Sequence, residues 1–210
     1  MVLLLAIAIS LLIGFLSGGT LKNVSGLRIR YLALLIAALL VQVAIFSSIL
    51  GTRDFVYDYG PYIYIGTLAA SLFVMLMNMQ IPGMPVIALG AFLNTVVITA
   101  NGGYMPSPES ALIEADRLQH VQVDEQKKAD NEWVHSNSTV ADEDTRLRFL
   151  GDVIPIPDGV PLANVISIGD IVLAIGAGIA IVGVMHRRPE EGEPVSESAG
   201  QPVDEPDSNL

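Results

Sequence analysis

Asp170 is conspicuous for its position in this 210-residue chain. It lies near the start of the apolar stretch Ile166–Met185, and a carboxylate at the centre of a membrane helix costs about 2.5–3.5 kcal/mol on insertion scales. Such a group is a candidate for proton or cation handling. Ser167-Ile168-Gly169-Asp170 also has the spacing of a capping box. In that motif the Ser167 hydroxyl accepts from the amide of residue 170, and the Asp170 carboxylate accepts from the amide of Ser167. An acid there also complements the positive end of the helix dipole. Cap and functional carboxylate both stay open as readings of Asp170.

Asn101-Gly102-Gly103-Tyr104-Met105-Pro106 closes a second apolar stretch. Paired glycines admit backbone conformations closed to other residues, an asparagine can cap a helix end through its side chain, and a tyrosine suits a membrane interface. The segment is a turn, or a mouth-lining loop that faces Asp170. Asn94 and Gln42 lie inside apolar stretches, where amides most often bond a neighbouring helix. Asp116, His120 and Asp124 are spaced by four, with His135 nearby, and carboxylate and imidazole are suitable divalent-metal ligands. An acidic, solvated helix face produces such triples by chance, so no metal site is assigned. No His-Glu-x-x-His pair, Gly-Lys-Ser/Thr phosphate loop, Gly-x-Ser-x-Gly elbow or complete dinucleotide fingerprint occurs, and no catalytic residue or cofactor is assigned.

Five apolar stretches must position these residues: Val2–Leu16, Tyr31–Leu50, Pro61–Met77, Met84–Ala100 and Ile166–Met185. Each approaches the roughly 20 residues needed to cross a hydrocarbon core. The first resembles a signal-peptide core in length. No Lys or Arg precedes it and Ser17-Gly18-Gly19-Thr20 is a poor cleavage site, so it is read as a span. Lys22, Arg28 and Arg30 follow the first span and Arg187 and Arg188 follow the last, which puts both regions on the cytoplasmic side. The amino terminus and residues 101–164 are then expected outside. Small residues four apart (Ala6, Ser10 and Gly14; Ala33 and Ala37; Gly66 and Ala70; Gly176 and Ala180) are expected to pack the helices together.

Charge is segregated in the same way. Hydrophobic residues make up 51% and charged residues 16% of the chain, yet 17 of the charged residues lie within 101–164 and nine more follow His186. A soluble domain with an evenly charged surface is excluded. The net charge of −11 carries no cluster of Lys and Arg able to neutralise phosphates, so nucleic acid is not a partner. With no cysteine, disulfides, thiolate catalysis and Cys-ligated metals are excluded together. Within the outer segment, Ser107-Pro108-Glu109 predicts a helix from Pro108 to about Leu118, a second is predicted around Asp124–Trp133, and a third ends at Gly151. Residues 149–161 are proline-rich and expected to be extended. The tail 187–210 is acidic and polar, and is expected to be disordered.

The motifs Asn101-Gly102-Gly103-Tyr104-Met105-Pro106, Leu150-Gly151-Asp152 and Ser167-Ile168-Gly169-Asp170-Ile171, in that order, resemble those of the bacterial domain of unknown function 5317 family of multi-pass membrane proteins. The resemblance extends over about residues 1–186. It implies a bacterial plasma-membrane protein and transfers no activity, and it implies that the three motifs meet at one membrane face.

The expected fold is therefore an all-α membrane protein. Residues 1–100 hold four transmembrane helices, 101–164 a partly helical extracytoplasmic segment, 165–186 the fifth helix and 187–210 the cytoplasmic tail. The expected function is non-enzymatic recognition of a membrane protein partner or small ligand at the outer face, with the lipid bilayer as the standing partner. The alternative is a small membrane enzyme or transporter for a lipid-linked or small solute, using Asp170, Asp152 and Asn101 in one cavity. Alkaline phosphatase fused near Lys127 is expected to be active and the same reporter fused after Arg188 silent. The reverse pattern overturns this topology.

Overall fold

The long aliphatic runs form helices, because Leu, Ala and Ile at successive turns lose little side-chain freedom there and offer no polar group to compete with the backbone. The computed structural model describes residues 2–46, 54–118, 137–159 and 163–187. Among them are helices α1 (Val2–Leu16), α2 (Leu32–Ile45), α3 (Asp54–Leu76), α4 (Met84–Ala100), α5 (Glu109–Glu114) and α6 (Ile168–Met185). Strands β1 (Met105–Ser107), β2 (Ser138–Val140), β3 (Asp152–Ile156) and β4 (Asn164–Ser167) lie between α4 and α6 in sequence. The chain is thus mostly helical. Two helical windows, Asp58–Leu76 and Ile168–Met185, are long and apolar enough to cross a membrane, and the other three apolar helices are shorter.

The five long helices form a row. α6 packs between α1 and α4, α4 also packs on α3, and α3 packs on α2. The tightest junction is α4 on α6, where glycines seven residues apart oppose one another. Seven residues is close to two helical turns, so Gly169, Gly176 and Gly183 lie along one stripe of α6. A methyl group placed on Gly176 would sit 2.5 Å from the Ile87 nitrogen, one on Gly90 2.7 Å from the Gly169 carbonyl oxygen, and one on Gly183 2.6 Å from the Pro82 side chain. The α1–α6 junction is looser and uses side chains: Gly178 faces the Ser10 hydroxyl and Gly14 faces the Met185 thioether. The expected spacing of four holds for Ser10 and Gly14 on α1 and for Gly176 and Ala180 on α6, whose backbones lie against Gly83. It fails for Gly66, which has open space where a side chain would be, and Ala33 and Ala37 of α2 are exposed.

Polar bonds close the two ends of the row. At one end the Thr20 amide and the Asn23 side-chain amide both donate to the Met185 carbonyl, at 2.9 and 2.8 Å. In the α3–α4 turn, Asn78 is fully buried. Its side chain donates to the Val74 and Arg30 carbonyls (2.7 and 3.0 Å) and accepts from the Arg30 amide at 2.8 Å. This end carries Lys22, Arg28, Arg30 and Arg187, and no acid among its described residues.

The other end carries the segment that follows α4, and here the all-α expectation is corrected. β1 pairs in parallel with β2, and β3 pairs antiparallel with β4 with a register shift between Asp152 and Ile154. The strands are three to five residues long and the first is buried throughout, so no alternation marks them in the sequence. The extended reading of 149–161 holds for β3. The helix expected from Pro108 to Leu118 is shorter and capped differently. Pro108 is its N-cap, Ser107 belongs to β1, and Asp116 takes a left-handed conformation (φ 50°) that ends it. His120, Asp124 and His135, the helix expected at 124–133 and the tail 188–210 lie outside the described residues. α3 begins seven residues before the expected Pro61, because the charged turn ahead of the proline is helical too.

The glycine seam makes a direct prediction for stability. Gly176→Ala is expected to cost about 1–3 kcal/mol through overpacking, whereas Gly66→Ala is expected to be neutral or stabilising by up to about 1 kcal/mol. Thermal melting of the detergent-solubilised protein reads both, and equal effects would refute the seam.

Candidate functional site

α6 starts at a complete capping box. The Ser167 hydroxyl accepts from the Asp170 amide at 3.0 Å, and an Asp170 carboxylate oxygen accepts from the Ser167 amide at 3.1 Å. The second Asp170 oxygen accepts from the Asn94 side-chain amide at 2.8 Å, while the Ser167 hydroxyl donates to the Asn94 side-chain oxygen at 3.0 Å. Three side chains on two helices thus form a closed ring with their donors and acceptors matched. Ser167 is fully buried. Gly169 makes the ring possible, since a side chain there would overlap the Asn94 amide. One Asp170 oxygen makes the bond to Ser167 that the cap reading needs, and the other bonds Asn94. Gln42 also bonds across helices, donating to the Thr67 hydroxyl at 3.0 Å.

The second motif is spent in a similar way. Asn101 is the C-cap of α4, followed by a Schellman turn in which the Gly103 amide donates to the Ile98 carbonyl at 2.9 Å and the Gly102 amide to the Thr99 carbonyl at 3.3 Å. Gly102 has φ +68°, the left-handed conformation this turn demands and glycine adopts without cost. The Asn101 side chain donates to the Val97 and Arg146 carbonyls (2.8 and 3.0 Å) and accepts from the Arg146 amide at 2.9 Å. It therefore holds the backbone of a residue 45 positions away and presents no free polar atom to a ligand. Gly103 lies against Pro61 of α3, so the turn also locks α4 to α3.

Met105 and Pro106 seat the segment on the helices. Met105 is buried with Tyr64, Val97 and Ile98, with Phe46, Leu68 and Leu150 packed around them. Tyr64 meets Phe46 edge-on, ring centroids 4.9 Å apart, and its hydroxyl accepts from the Asn137 side chain at 3.2 Å. Pro106 is fully buried and its carbonyl lies where a Gly151 side chain would be. A second small core, Ala111, Leu112, Ala115 and Val165, joins α5 to β4, and the Arg117 guanidinium donates to the Ala163 carbonyl at 2.8 Å. The three motif segments do meet at one end of the row. Leu150 joins Met105 in the core, Gly151 abuts Pro106, and Asp152 stands opposite Ser167 in the β3–β4 ladder.

Asp152 is the carboxylate at this junction whose protonation is poised. Burial first, and the nearby Asp170 carboxylate second, push its pKa up to about 7. It can hold or release a proton near neutrality. Asp152 and Asp170 lie near enough to act on one another, while the Asp170 oxygens bond Ser167 and Asn94 and the Asn101 amide bonds Val97 and Arg146. Among the described residues no group of three His, Asp or Glu could hold a metal ion. Sequence reasoning passed over Asn78, Asn137 and Tyr64; an asparagine at the polar end of an apolar stretch was the available signal for Asn78, and Asn137 and Tyr64 had none.

The raised pKa of Asp152 has a defined sign. The unfolded carboxyl titrates near 3.8 and the folded one near 7, so its contribution to stability is full below the lower value and is lost as pH rises through the upper one. Asp152→Asn is expected to flatten the fall in melting temperature between those values and to leave the variant the more stable protein above pH 7. Parallel melting curves for the two proteins would refute this assignment.

No curated protein sequence and no solved structure matches this chain. The sequence model of a family of unknown function, DUF5317, matches residues 26–182, a span that takes in all three motifs and every helix of the row except α1. The chain belongs to the DUF5317 family.

Proposed function

We propose that the protein is a five-span membrane protein of the bacterial plasma membrane, with its amino terminus outside and its tail inside. Its outer segment would be a recognition surface for a membrane protein partner or small ligand. The observation that carries this reading is how the outer segment is seated. Its motif side chains are consumed in fixing it to α3, α4 and α6, while Ile113 (59% exposed) and Phe149 (64%) are left facing outward. A segment fixed this firmly, with apolar side chains displayed, has the properties of a binding face. The membrane setting is supported by the large aliphatic side chains of α1 and α2 that no protein group covers, such as Leu16 (80% exposed) and Val43 (65%). It is supported also by the basic end, where Lys22, Arg28, Arg30 and Arg187 gather as cytoplasmic loops do. On this reading residues 1–100 and 165–186 are the spans, 101–164 the outer segment and 187–210 the tail.

One observation favours the alternative, a small membrane enzyme or transporter: Asp152 can exchange a proton near neutrality at the outer face. A photo-crosslinker incorporated at Phe149 in living cells separates the two. The recognition reading expects a discrete protein adduct that disappears when Ile113 is replaced by Ser, with Asp152→Asn cells growing normally. Crosslinks to lipid alone, together with an altered lipid profile in Asp152→Asn cells at unchanged protein level, would move the assignment to the enzyme or transporter.

A further inference from the structure

The carboxyl ends of α1 and α6 meet over one side chain, His186. Its Nδ1 lies 2.8 Å from the Val182 carbonyl oxygen and its Nε2 lies 3.0 Å from the Ser17 carbonyl oxygen. Carbonyl oxygens accept and never donate, and a neutral imidazole carries a single N–H. The two bonds therefore exist together only in the imidazolium. In the neutral ring one nitrogen presents its lone pair to a carbonyl oxygen, which is repulsive. Position reinforces the chemistry. Val182 is in the last turn of α6 and Ser17 follows the last residue of α1, so both carbonyls belong to helix ends where a cation is favoured. Gly19 clears the space for the ring, since a methyl group on it would lie 3.0 Å from the imidazole Cε1.

We propose that His186 is a proton-operated clasp between α1 and α6, closed when the imidazole is charged and loosened when it is neutral. The clasp closes a junction that already holds the Thr20 amide to the Met185 carbonyl at 2.9 Å and the Asn23 side chain to the same oxygen at 2.8 Å. Its opening frees the start of the basic connection that carries Lys22, Arg28 and Arg30. Among the described residues the groups that face it are few. α1 carries no charge, the turn 77–83 carries none, the 3₁₀ turn Leu21–Gly26 carries Lys22, and Arg187 follows α6 with its guanidinium donating to the Gln80 carbonyl at 3.1 Å. The cations oppose protonation and the carbonyls favour it. The clasp is thus closed while the ring is protonated and is lost as pH rises and the ring gives up its proton. It operates whichever side of a membrane this end faces.

The test uses the full chain in detergent, with His120→Gln and His135→Gln so that His186 is the sole histidine. Nitrogen NMR of the ring is followed with pH, together with hydrogen-exchange protection of the Gly19 and Thr20 amides corrected for intrinsic rate. The clasp predicts a His186 pKa above that of a free imidazole and a loss of protection at both amides over the same interval. His186→Gln should show the low protection at every pH. A His186 pKa at or below the free value, or protection that does not change through the titration, overturns the proposal. Because the wild-type ring and amides decide this alone, a variant that fails to fold does not rescue it.

Discussion

Two helix backbones at van der Waals distance leave no room for side chains between them, and the α4–α6 seam meets that constraint with glycine on both sides. The gain from such contact is dispersion plus any polar bond that the approach makes possible. Here the approach delivers two. With no side chain at Gly169, the amide of Asn94 reaches across to the Ser167 hydroxyl and the Asp170 carboxylate. The carboxylate that looks costly in the sequence becomes affordable because it closes a cap and a helix–helix bond at once. Everything at that end follows: the start of α6 is fixed, β4 leads into it, and β3 is placed by pairing with β4.

Asparagine serves a related purpose at both ends of the row. Asn78 follows α3 and Asn101 caps α4, and each bonds the carbonyl four residues back in its own helix and both backbone groups of a distant arginine. A side-chain amide has the donor and acceptor needed to imitate a strand neighbour, so it can pin an irregular chain to a helix end. Loss of the Asn78 amide would leave the buried Val74 bond unmade, at about 1–3 kcal/mol for a buried group left unsatisfied, whereas the Arg146 groups that Asn101 holds are exposed. The connections at the two ends are therefore held by single residues, which explains how loops without regular structure keep a fixed place on the helices.

Much of this was legible in the sequence, and the limits have physical causes. The ends of α1 and α4 follow hydropathy and turn residues, and the capping box of α6 follows local spacing, because those features depend on neighbours in the chain. The partner of Asn94 was foreseen only as some neighbouring helix, since nothing local selects Asp170. The strands escaped notice because β1 contains a proline and is buried throughout, so its pattern matches a loop. The seam was partly misread. Spacing by four drew attention to Gly66, while the packing glycines recur at seven and straddle two helices. Asn101 was singled out for the right position, and its bonds to Arg146 depend on a loop that no local rule places.

The order of helices in the row differs from their order along the chain. α6, made last of the five, packs between α1 and α4, and α1 has its main contacts with α6 and the turn that follows it. During synthesis α1 must therefore wait without its packing partner until nearly the whole sequence has emerged, while α2, α3 and α4 can pair in succession. Assembly is then a closing step rather than a progressive one. A chain that stops before residue 168 leaves α1 unpaired and the α4 glycines facing nothing, so a quality-control protease would meet a clear difference between unfinished and finished protein.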